Sequence, residues 1–288
     1  MPIHPRLAIA GIVLVAALTT ASPVVGKASD SLTSVAALDR SARFVSAVSN
    51  GRTTVTRASD GTVVLTLDEP LALRVVEPGA RRLVLGPVLP DGADTYRPGG
   101  RASTRLVVAD LRTGGTRVYD VARNVEPEAF GVGNEALFVI DHLPADAPTH
   151  YRVGAVDLAT GAFGGLIGPD KQPLDLDMSG TARLQVLSES ATQLYTLYQQ
   201  HEHADEPDAS RAFVHVLDLR GAWAYCVDLP GVGHGTPGAT SIRLARRGHE
   251  LVVSDRHANT RIAIATAALS LRHLSEGAPP LSTSTLRQ

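Results

Sequence analysis

Three stretches of this chain share one pattern: residues 106–114 (LVVADLRTG), 153–161 (VGAVDLATG) and 214–221 (VHVLDLRG). Each is an apolar run that ends in Asp-Leu and then breaks at a glycine, with Asp110, Asp157 and Asp218 at matching places. A second short run follows each, at 116–121, 162–167 and 222–229. Runs rich in Val, Leu and aromatic residues, joined by a Gly-containing break, read as β-hairpins. Equivalents lie near the start, at 53–57 and 62–67 around Asp60-Gly61, and near the end, at 261–266 and 270–274. A chain that keeps returning to one hairpin must fold as copies of one unit that bury one another.

The unit is larger than a hairpin. Another apolar pair precedes each: 72–76 with 82–89, 129–132 with 136–142, 182–187 with 193–198, and 241–244 with 250–254. Four strands, a to d, therefore recur over 72–121, 129–167, 182–229 and 241–274, with a shorter leading copy at 43–67 in which three are visible. No run keeps a 3.6-residue apolar period, which argues against helices. Four-stranded units of this length are the mark of propeller blades. The expected fold is all-β and β-propeller-like, with about five four-stranded antiparallel blades, the first incomplete. The c–d segments with their DLxTG turns resemble the YVTN, quinoprotein-like and TolB-like propeller repeats of bacterial secreted proteins. The resemblance covers roughly residues 40–275 and implies a fold, leaving the function open. The Gly-His and Trp-Asp pairs of WD repeats are absent from the blade ends.

The N-terminus carries a targeting pattern. Arg6 precedes an uncharged apolar run, residues 7–18, and small residues follow. This is the order of a secretory signal peptide. The run is short for a bilayer span, yet residues 7–26 hold no charge, so an uncleaved membrane anchor is the alternative. The expected organisation is a signal peptide or anchor at 1–28, a linker at 29–40, the propeller-like domain at 41–275 and a flexible tail at 276–288. The expected location is extracytoplasmic, secreted or in the cell envelope, with membrane contact only through an uncleaved N-terminal segment.

Composition excludes several classes. The net charge of −2 gives no basic excess for nucleic acid. Cys226 is the only cysteine, so the chain has no internal disulfide and no thiolate metal cluster. Its apolar neighbours Tyr225 and Val227 point to a buried side chain. No Gly-x-Ser-x-Gly elbow, His-Glu-x-x-His or phosphate loop appears, and no cofactor is required by the sequence.

In an up-and-down blade the a–b and c–d turns share one end, and the b–c loops and d–a crossovers share the other. The c–d turns are tight. The other end is elaborated, with b–c loops near 90–104, 144–150, 201–211 and 256–260 and crossovers near 168–181 and 230–240. Function concentrates on such loops, so this end is the expected functional face. Its candidate ligand-binding residues are His201, His203 and Asp205 in the loop HEHADEPD, Asp175 and Asp177 in an acidic crossover, and His234 between glycines. His and carboxylate side chains suit a divalent ion, although no third ligand is set by spacing. Glu126 and Glu128 form a second acidic crossover in this reading, part of a rim at the channel mouth. Asp110, Asp157 and Asp218 are expected to serve their turns, and His215 and Trp223 to pack between blades. The expected function is a non-catalytic module presenting its loop face to an extracytoplasmic protein, glycan or small ligand. The alternative is a hydrolase or lyase, metal-dependent or not, with carboxylates or His at the channel mouth.

Overall fold

The computed structural model describes residues 44–90, 93, 95, 97–133, 135–166, 177–199, 212–229, 232, 242–255, 260–266 and 271–273. These form antiparallel sheets in simple sequential order. The first sheet has three strands: β1 (Phe44–Ser49), β2 (Arg52–Arg57) and β3 (Val63–Leu67). The second holds β4 (Leu71–Val76), β5 (Arg82–Pro87), β6 (Thr104–Asp110) and β7 (Thr116–Val121). The third holds β8 (Val125–Phe130), β9 (Ala136–Leu143), β10 (His150–Asp157) and β11 (Phe163–Gly165). In the fourth are β12 (Thr181–Leu187), β13 (Gln193–Gln199), β14 (Ala212–Asp218) and β15 (Trp223–Asp228). In the fifth are β16 (Ile242–Arg247), β17 (Glu250–Asp255), β18 (Thr260–Ala265) and β19 (Leu271–His273). The expected repeat boundaries match these sheets to within two residues, except that the third sheet begins at Val125 and not at the expected 129.

The leading strands are neighbours, β1 beside β4, β4 beside β8, and β12 beside β16. The sheets therefore stack face to face from a shared inner side, which is a β-propeller-like arrangement. Period-two alternation explains the core. In β9, Leu137 and Val139 face the second sheet while Phe138 and Ile140 face the fourth. In β13, Leu194 and Tyr198 face the third sheet while Tyr195 and Leu197 face the fifth. A strand buried on both faces is apolar at most positions, so the central strands read as long apolar runs with few polar residues. One apolar cluster fills each space between neighbouring sheets. Each fully buried Leu or Phe contributes about 2 kcal/mol, so no sheet is stable without its neighbours.

The c–d turns are built as expected. Asp110 Oδ1 accepts the amides of Arg112 and Thr113, Asp157 Oδ1 those of Ala159 and Thr160, and Asp218 Oδ1 those of Arg220 and Gly221. These backbone bonds pull the Asp110 and Asp157 carboxyls below their usual range. Four residues on, the chain turns left-handed, with φ of 73° at Gly114 and 81° at Gly161. Cys226 is half-buried, and burial pushes its thiol up to about 12, which disfavours the thiolate.

Candidate functional site

Neighbouring sheets are joined at both ends. At the turn end Arg82 on β5 reaches Glu135 at 3.2 Å, and Arg117 and Tyr119 donate to the Leu158 carbonyl. At the loop end, described residues knit the second sheet to the third. The β5–β6 loop and the β9–β10 loop touch through Asn124, whose side-chain amide donates to the carbonyls of Gly99 (2.8 Å) and Ala145 (3.0 Å). Thr104, at the start of β6, donates to the Arg123 carbonyl and accepts the Val125 amide, which fixes the short crossover into β8. Gly100 sits so close to the Asp146 carbonyl that a Cβ there would lie 1.8 Å from its oxygen.

Within this end lie two buried carboxylates, each holding two guanidinium groups. Glu126 on β8 meets Arg101 from the β5–β6 loop at 2.5 Å and Arg74 from β4 at 3.3 Å. Asp141 on β9 meets Arg123 at 2.9 Å and Arg152 on β10 at 3.2 Å. The carboxylates are buried, while the Arg74, Arg101, Arg123 and Arg152 side chains retain 13%, 17%, 38% and 31% exposure. Negative charge is thus inside and positive charge outside. Among the described residues, four guanidiniums here meet two carboxylates. Further contacts hold the planes of these groups. Arg101 Nε donates to Thr104 Oγ1, and Arg123 stacks over the Phe163 ring at 4.4 Å. Burial pushes the Glu126 carboxyl up, and the two guanidiniums pull it back. Burial lowers Arg74, Glu126 opposes this, and the nearby charge of Arg101 adds to it.

Glu126 and Glu128 correct the expectation of a solvated acidic crossover. Both lie on β8 and both are buried. The Glu126 carboxylate is covered by guanidiniums. Glu128 sits at a break in the β8–β9 register, between Pro127 and Ala129, and is received by the fourth sheet. Its Oε1 accepts from Gln185 Nε2 on β12 and Thr196 Oγ1 on β13, both at 3.3 Å, while Oε2 is buried without a partner. No cation accompanies it among the described residues, and burial pushes its carboxyl up to about 7. In the same sheet Gln185, Thr196, His215 and Cys226 pair in sequence across β12 to β15, a polar row within an apolar interface. His215 is buried beside the edge of the Tyr198 ring, as expected for a residue packed between blades, and burial lowers it to about 4.

Of the sequence-derived candidates, His201, His203, Asp205, Asp175 and His234 lie outside the described residues. Asp177 is exposed, and its carboxylate lies 3.5 Å from His150 Nε2. Glu126 is buried in its own arginine pair, so these two carboxylates hold different partners. Among the described residues no three His, Cys, Asp or Glu side chains are grouped to hold a metal ion. The arginine layer escaped the sequence reading because its members are scattered from 74 to 152. Its only sequence trace is the near-exclusive use of Arg over Lys.

No family model matches the chain, and no curated protein matches it. Similar solved structures include an uncharacterised protein from Listeria monocytogenes EGD-e (10% identity, TM-score 0.43) and an oligogalacturonate lyase in complex with manganese (12%, 0.44). Each covers 80% of this chain, and the chain spans 61% of each. The β-propeller domain of the Trilobed protease from Pyrococcus furiosus matches at 7% identity and a TM-score of 0.40, over 77% of this chain and 64% of that one. The propeller-like assignment rests on the chain's own sheets.

Proposed function

We propose that this protein is an extracytoplasmic, non-catalytic binding module whose loop end takes a ligand bearing an anionic group. The observation behind this reading is the pair of buried carboxylates that each orient two partly exposed guanidiniums. Guanidinium donors match carboxylate, sulfate and phosphate oxygens. Because Glu126 and Asp141 already hold the arginines in place, little side-chain freedom is lost when a ligand binds. Catalysis has less support: Glu126 and Asp141 are occupied as arginine anchors.

A binding and turnover assay on the full chain tests the reading. The protein is mixed with acidic polysaccharides (alginate, polygalacturonate) and neutral ones (dextran, cellulose). Bound ligand is measured by calorimetry and new chain ends by reducing-sugar release. The expected result is salt-sensitive binding of acidic polymers, with ligand recovered uncut. Arg123→Gln with Arg152→Gln weakens it at least tenfold, and Arg112→Gln, at the turn end, does not. Chain cleavage, or binding that prefers neutral polymers, would overturn the proposal.

A further inference from the structure

The three strands of the first sheet occupy the second, third and fourth places of a four-stranded unit. Phe44 at the start of β1 pairs with Arg57 at the end of β2, as Arg82 pairs with Asp110, Ala136 with Asp157 and Gln193 with Asp218. The turn that follows is also the same. The amides of Gly61, Gly114, Gly161 and Ala222 donate to the carbonyls of Arg57, Asp110, Asp157 and Asp218, and all four residues have positive φ. So β1 corresponds to β5, β9 and β13. Each of those has an inner partner, β4, β8 or β12. Among the described residues β1 pairs only with β2, so its other edge has no strand partner there.

We propose that this edge is the docking site for residues 34–38 (SVAAL) of the same chain, added as the missing inner strand. The links from first to second strand in the second, third and fourth sheets are each five residues: 77–81, 131–135 and 188–192. In each, the first amide (Glu77, Gly131, Ser188) donates to the carbonyl of the residue that opens the next strand. In two of them the fourth residue is an alanine in the left-handed region, Ala80 at φ 55° and Ala191 at φ 54°. The five residues before Phe44 are Asp39-Arg40-Ser41-Ala42-Arg43, again with alanine fourth, alongside EPGAR at 77–81 and SESAT at 188–192. A large apolar residue precedes each link: Val76, Phe130, Leu187 and here Leu38.

The register makes the match specific. Val76 pairs with Leu83, Phe130 with Leu137 and Leu187 with Leu194. The same offset sets Leu38 opposite Val45. Leu83, Leu137 and Leu194 are buried, whereas Val45 is 56% exposed. An apolar side chain and a bare strand edge are thus exposed at the one place where the repeat supplies an apolar strand. On this reading the propeller-like domain begins near residue 34, inside the segment first read as a linker.

The test uses full-length protein in which Cys226→Ser removes the native thiol. Leu38→Cys with Val45→Cys should oxidise to an intramolecular disulfide in the monomer, and Leu38→Cys with Val63→Cys should not. A disulfide-linked dimer would assign the edge to a second copy, and no disulfide would leave it empty. Either outcome overturns the proposal. Hydrogen exchange supplies a second reading without cysteines. The β1 amides that are not bonded to β2 should be protected, and Leu38→Asp should speed their exchange at least tenfold while β13 and β14 are unchanged. Fast exchange of those amides in the unsubstituted protein would also overturn it.

Discussion

Glu128 and Thr196 meet across the interface between the third and fourth sheets, with the carboxylate Oε1 3.3 Å from the threonine hydroxyl. The contact joins two sheets at a point where no cation offsets the carboxylate among the described residues. Its protonation is therefore coupled to how well the two sheets pack.

The first prediction concerns pH. The folded state raises the Glu128 carboxyl to about 7 from 4.5. Its favourable contribution is fully present below about pH 4.5 and is lost as pH rises through 7. The loss amounts to about 3 kcal/mol. Glu128→Gln keeps an acceptor for Gln185 and Thr196 and cannot ionise. Denaturant melts should therefore show the variant gaining on the wild type from pH 4.5 to 7 and holding a constant advantage above that. Parallel stability curves for the two proteins would contradict the assignment.

His215 has the opposite sign. Burial lowers it from 6.5 to about 4, so its contribution is present above pH 6.5 and is lost as pH falls towards 4. His215→Leu removes a buried ring nitrogen without a partner, Nδ1. The variant should gain on the wild type by up to about 3 kcal/mol as pH falls through this window. His142, also lowered to about 4 by burial, donates from Nε2 to the Thr95 carbonyl and is linked to His215 through the Tyr151 and Tyr198 rings. A pH-independent difference between His215→Leu and the wild type would rule the coupling out.

Glu126 anchors Arg74 and Arg101. Glu126→Ala leaves two partly buried guanidiniums near each other without this counter-charge, and should cost about 3 kcal/mol of stability. Removing both arginines as well, as Glu126→Leu with Arg74→Met and Arg101→Met, should recover much of that loss because apolar side chains replace the whole ion cluster. Equal stability of Glu126→Ala and the triple variant would show that the ion cluster is not the source of the cost.

Gly100→Ala probes the contact between the two loops. The added methyl would fall 1.8 Å from the Asp146 carbonyl oxygen, so the backbone must move. The expected effect is a loss of about 1–3 kcal/mol, together with weaker binding of acidic polysaccharide because Arg101 shifts with its loop. Gly164→Ala, where a Cβ meets nothing within 4 Å, should change neither binding nor stability appreciably.

Much of the fold was legible in the chain itself. The repeated Asp110, Asp157 and Asp218 turns mark the hairpins because an aspartate side chain bonds backbone amides two and three residues away, a local interaction. The largely apolar runs of β9, β13 and β14 follow from burial on both faces, which a single strand's composition already reveals. The site was much less legible. Glu126 and Glu128 read as a solvated crossover because two carboxylates beside a proline look polar and loop-like. Their burial depends on Arg74, Arg101, Gln185 and Thr196, which lie 25 to 68 residues away.

The sequence by itself determined the strands, their grouping into units and the turns at one end, because those depend on side-chain alternation and short-range hydrogen bonds. Only the tertiary structure decided which charges are anchors and which face outward. A charge is stable in the interior only where another sheet brings it a partner, and the stacking of neighbouring sheets sets that pairing.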